Sequence, residues 1–232
     1  MDVLRAERNF HSSNNDRWES HVKDLMIAIA GITCRIYMEI ETDDGTESWG
    51  SATAFFVSPT KLLTLDHSRF HIGQRVVACA PGRATVELGN EAKFKSSGGN
   101  TFSCAVVDKF YETHGWPGAV AILETFGYST MPSVPLDVNC SVQAGETVYV
   151  MGYPARYNVE HLKLNNPEID ISTQLPRIKQ MLPEGTLCVT TGPLISNNGP
   201  AKIREYRLSA TAGMGGGPVI GRRGSIFGNP HS

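Results

Sequence analysis

The spacing of apolar residues changes once, near residue 31. Before it, Trp18, Val22, Leu25, Met26 and Ile29 recur at the interval of one helix face, with Asp16 available as an N-cap and Gly31 as a stop. This predicts one amphipathic helix that packs on its own fold, preceded by a polar, unpatterned stretch over residues 1–15. From Ile32 the period is two. Ile32, Cys34, Ile36, Met38 and Ile40 share one face and Thr33, Arg35, Tyr37 and Glu39 the other, ending at the turn Asp43-Asp44-Gly45.

Further short strand-type runs follow at Ala54-Phe55-Phe56-Val57, Leu62-Leu63-Thr64-Leu65, Val76-Val77-Ala78-Cys79, Cys104-Ala105-Val106-Val107 and Val120-Ala121-Ile122-Leu123. Clusters of Gly, Pro, Asn and Asp separate them, and helical spacing is almost absent after residue 30. That pattern predicts an all-β protein built from antiparallel sandwiches or barrels. Residues 128–139, with Pro132 and Pro135, read as a linker, after which strands resume at residues 145–152, 186–190 and 203–208. The predicted divisions are an N-terminal extension and helix over 1–31, a first β-unit over 32–135 and a second over 136–232. Residues 156–182 are polar with scattered apolar positions and read as a long surface loop with some helix.

Composition narrows the function classes. The chain has 232 residues, 41% of them hydrophobic, and 21 Lys+Arg stand against 23 Asp+Glu for a formal charge of -2. That balance lacks the basic excess used for nucleic acid. The N-terminus lacks the apolar stretch of a secretory signal, and the run over 25–32 is too short to span a bilayer, so no membrane partner and an intracellular, cytoplasmic location are expected. Cys34, Cys79, Cys104, Cys140 and Cys188 are widely spaced, odd in number and without a CxxC pair. They are expected to be small buried hydrophobes rather than disulfides or metal ligands. The sequon Asn139-Cys140-Ser141 is expected to be silent inside a cell.

Four ordered segments carry the chemistry. Residues 54–59 lead into Leu63-Thr64-Leu65-Asp66-His67-Ser68; Gly118-Ala119-Val120-Ala121-Ile122-Leu123 forms a later strand; Gly145-Glu146-Thr147-Val148 runs to Gly152-Tyr153-Pro154; and Thr211-Ala212-Gly213-Met214-Gly215-Gly216-Gly217-Pro218 is rich in glycine. Together these resemble the trypsin-like serine peptidase superfamily over about residues 32–232. The resemblance implies two antiparallel Greek-key β-barrels. It also implies His67 as the general base, Ala119 where the orienting aspartate belongs, Gly215 where the serine nucleophile belongs, and amide donors for an oxyanion at Gly213 and Gly215. The second barrel is expected to be short at its C-terminal end: 219–228 fits a hairpin, and the chain stops inside the strand that would line the specificity pocket. An unpaired edge there invites association between copies.

A hydroxyl nucleophile needs an adjacent base, and the base needs an acid to hold its tautomer. His67 alone supplies neither attack nor orientation. Asp66 and Asp108 are candidates to replace the acid, Ser209 and Thr211 to replace the nucleophile; the plainer expectation is two solvated carboxylates and two hydroxyls away from the scissile bond. His67 and His71 lie four apart without a third ligand, so neither a metal nor another cofactor is expected. The expected activity is that of a pseudopeptidase holding a protein or extended peptide. The alternatives are a serine-type hydrolase with a non-standard arrangement around His67, and a decayed copy of an active peptidase.

Overall fold

The computed structural model describes residues 16–41, 47–66, 70–79, 85–88, 92–95, 101–109, 120–127, 132–134, 142–155, 159, 163, 170–196, 205–206, 212–221 and 226–228. His67, Ala119, Cys140, Ser209, Thr211 and the turn at 43–45 lie outside the described residues.

Helix α1 (Asp16–Ile32) runs one residue past the expected glycine stop. Met26, Ile29, Ala30 and Ile32 are buried within the main hydrophobic cluster, at the spacings that place side chains on one helix face. The helix therefore packs on its own fold. The chain then enters β1 (Thr33–Glu41), whose Cys34, Ile36 and Met38 are buried while Arg35 and Tyr37 are half-buried, as the period of two requires.

β1, β2 (Glu47–Phe56), β3 (Lys61–Leu65), β8 (Val120–Thr125), β7 (Thr101–Lys109) and β4 (Arg75–Cys79) close in that order into an antiparallel barrel. Closure removes the free edges that an open sheet would expose. A bulge between Val106 and Asp108 shifts the register of β7 against β8. In β2 alternation fails: residues 52–56 are all buried. The inner face fills the barrel, and the outer face meets the second half of the chain. There Tyr153 Oη donates to the Thr33 carbonyl at 3.3 Å, and the Thr33 hydroxyl lies 3.7 Å from Met151 Sδ.

A second sheet of seven strands, five of them from the second half of the chain, runs in the order β13 (Ile226–Gly228), β12 (Val219–Gly221), β9 (Thr147–Gly152), β10 (Leu187–Ser196), β6 (Ala92–Lys95), β5 (Thr85–Leu88), with β11 (Glu205–Tyr206) also on β10. β12 and β13 form the expected C-terminal hairpin. The β5–β6 hairpin, absent from the strand runs read above, comes from the earlier part of the chain and pairs Phe94 with Leu187 and Lys93 with Cys188. β9 is the shared layer. Tyr149 and Met151 join the cluster of the first barrel, whereas Val148 and Val150 join a second core with Val142, Leu182, Cys188, Leu194, Met214 and Val219.

The polar stretch before β10 contains α2 (Ile171–Met181), started by Asp170, whose carboxylate accepts the Ser172 N–H at 3.0 Å. Ile171, Ile178 and Leu182 are buried. Cys34, Cys104 and Cys188 are buried thiols outside any disulfide, and Cys79 is a half-buried one. Among the described residues no helix is long and apolar enough to cross a membrane.

Candidate functional site

Leu65, the last residue of β3, pairs with Val120, the first of β8. The described residues adjoining His67 and Ala119 in sequence thus stand at one end of the barrel, and the glycine-rich loop reaches the same place. A Cβ added to Gly216 would lie 2.1 Å from the Thr53 carbonyl, 2.4 Å from the Thr64 hydroxyl and 2.8 Å from the Leu65 amide. Gly216 also has φ near +90°, so no other residue fits. At Gly217 an added Cβ would meet the Met151 carbonyl at 1.9 Å. Glycine here permits close packing of the loop against both halves of the molecule.

Gly213 is half-buried at φ +89°, and Met214 and Gly215 are buried. Every carbonyl from 212 to 215 accepts a hydrogen bond. Ala155 N–H donates to Ala212 at 2.7 Å, the Thr53 hydroxyl to Gly213 at 2.7 Å, Gly217 N–H to Met214 at 3.2 Å and Thr53 N–H to Gly215 at 3.0 Å. Among the described residues neither the Gly213 nor the Gly215 amide donates to an acceptor. The loop therefore turns its carbonyls into the protein, and in a trans peptide the N–H joined to each carbonyl points the opposite way. Three consecutive glycines alone would suggest a mobile loop; long-range hydrogen bonds hold this one.

Among the described residues, two hydroxyls that approach the loop are committed. Thr53 and Thr64 are fully buried, Thr53 donating to Gly213 and Thr64 donating to the Thr53 carbonyl at 2.7 Å. Neither was singled out in the sequence, because a threonine in a β-strand is unremarkable until its partner is known.

Asp66 departs from the solvated turn carboxylate expected of it. It is 7% exposed, and its carboxylate faces the ammonium of Lys109, itself 3% exposed, at 3.4 Å. β3 and β7 flank β8, so the pair spans a strand at the end of the barrel beside the loop. Asp108 is half-buried, and its carboxylate accepts the Lys109 N–H at 2.7 Å. His71 is exposed, with its backbone N–H given to the Gln74 side chain.

No family model matches the chain, and no curated protein does. Solved structures do. Deg5 superposes with a TM-score of 0.56 over 95% of this chain and 88% of its own, at 13% identity. The active form of the Rv3671c protease from M. tuberculosis gives 0.52 over 88% of this chain and 71% of its own, at 17% identity. At these identities the likeness shows the fold alone, and the chain has a trypsin-like fold.

Proposed function

We propose that this protein is a trypsin-like peptidase homologue that holds an extended peptide or protein segment without cleaving it. The observation that carries the reading is the loop at residues 213–217. Its carbonyls are taken up by the rest of the protein, which supports reading it as an anion-receiving loop, and its central residue, Gly215, has no hydroxyl. Among the described residues, the Thr53 and Thr64 hydroxyls beside it are buried and already donate to backbone carbonyls, which weighs against either being a substitute nucleophile. Loss of the serine in a triad enzyme costs on the order of 10⁶ in turnover, while backbone donors and binding contacts survive the loss. Such a remnant favours retention over hydrolysis: the peptide's carboxylate or carbonyl meets the loop amides, and its backbone pairs with a strand edge.

A fluorophosphonate probe is expected to leave the protein unlabelled, and a broad peptide library to be cut no faster than by His67→Ala. Strong labelling, or cleavage that disappears in His67→Ala, would overturn the reading in favour of a hydrolase with a non-standard arrangement.

A further inference from the structure

Thr53 touches the loop with more than one of its groups. Its hydroxyl donates to the Gly213 carbonyl at 2.7 Å and accepts the Tyr153 N–H at 2.9 Å, while its amide donates to the Gly215 carbonyl at 3.0 Å. Its own carbonyl accepts the Thr64 hydroxyl, which ties the arrangement to β3. One residue on β2 thereby joins the loop, the end of β9 and the neighbouring strand.

The consequence follows from peptide geometry. In a planar trans peptide the C=O of one residue and the N–H of the next point in opposite directions. The Gly213 and Gly215 carbonyls belong to the units 213–214 and 215–216, which bracket the unit bearing the Gly215 N–H. With both flanking units held by Thr53, and the Met214 carbonyl taken by Gly217 N–H, the 214–215 unit cannot flip without breaking a hydrogen bond. We infer that Thr53 is a positioning residue that sets the direction of the Gly215 amide donor, and that its hydroxyl, together with the loop's own Gly217–Met214 hydrogen bond, keeps this glycine-rich segment in one conformation. Valine matches the shape of threonine but can neither donate to Gly213 nor accept from Tyr153; serine can do both.

Amide hydrogen exchange, read by NMR on the full chain, tests the inference without any ligand. In Thr53→Val the amides of Tyr153 and Gly217 should exchange about tenfold faster, those of β7 and β8 should be unchanged, and Thr53→Ser should restore the original rates. Unchanged exchange at Tyr153 overturns the inference. So does acceleration spread evenly over β7 and β8 that serine does not reverse, which would mark Thr53 as a general stabiliser only. A second arm rests on the peptide-holding reading. Acetylated tetra-alanine with a free C-terminal carboxylate should shift the Gly215 amide resonance, its carboxamide should not, and Thr53→Val should weaken that binding about tenfold, with Thr53→Ser close to the parent. Equal binding by the parent and Thr53→Val defeats the inference and leaves the peptide-holding reading standing. No response from the parent protein defeats the reading, while the exchange rates still decide the role of Thr53.

Discussion

Asp66 and Lys109 show how a single residue's role depends on its partner. Two opposite charges taken from water attract at 3.4 Å, and each also carries a desolvation cost that its partner offsets. Removing one partner leaves a buried charge. Lys109→Met is therefore expected to lower the free energy of unfolding by about 3–5 kcal/mol, and the double variant Asp66→Leu with Lys109→Met to regain most of it. Urea denaturation of the single and double variants checks this; a single variant within about 1 kcal/mol of the parent would mean that the pair is effectively solvated. The sequence shows Asp66 beside His67, but not that a lysine on a strand two places away in the barrel faces it. A carboxylate in a turn reads as solvated by default, and only closure of the barrel removes its water.

At the scale of elements the local patterns carried far. The helical face of α1 and the alternation of β1 were legible because a half-buried element must repeat its apolar positions at its own period. Ile29 is 1% exposed in the face that α1 presents to the main cluster, so Ile29→Ala should cost about 2–4 kcal/mol. Thermal or urea unfolding that gives less than about 1 kcal/mol would mean the helix is only loosely docked. The β5–β6 hairpin was not legible. Its ladder is made with Leu187 and Cys188, which lie far along the chain, and an apolar pattern identifies a strand's faces rather than its partners. The continuous burial over residues 52–56 does leave a trace, in the run Ala-Thr-Ala-Phe-Phe, whose lack of alternation marks a strand covered on both sides.

The whole molecule buries titratable groups in the barrel core, at Cys34 and Cys104, and at the contact between its halves, at Tyr153. Burial pushes the Cys104 thiol up from 9.0 to about 12, raises Cys34 well above that ordinary value, with Cys104 and Cys79 adding to it, and lifts Tyr153 above its usual 10.0. Each of these groups is held neutral by the fold. Well below pH 9 they are protonated in both states and contribute no pH dependence. Above it the unfolded chain loses protons that the folded chain keeps, so the unfolded state binds fewer protons and stability falls as pH rises. Under reducing conditions the urea midpoint is expected to drop steadily from about pH 9 upward, more steeply than in a Cys34→Ala variant referenced to its own value at pH 7. A parent midpoint as flat as the variant's between pH 9 and 11 would contradict this.

By itself the sequence determined the period of each element, the order of the four segments that resemble a peptidase, and the absence of a hydroxyl at Gly215. These are local properties, set by side-chain chemistry and by 2.0- or 3.6-residue repeats along one stretch of chain. Only the tertiary structure decided that the loop is held by Thr53, that Asp66 is buried against Lys109, and that a hairpin from residues 85–95 completes the second sheet. Each joins residues remote in sequence, and whether a carbonyl, carboxylate or strand edge finds a partner is settled by packing rather than by its neighbours in the chain.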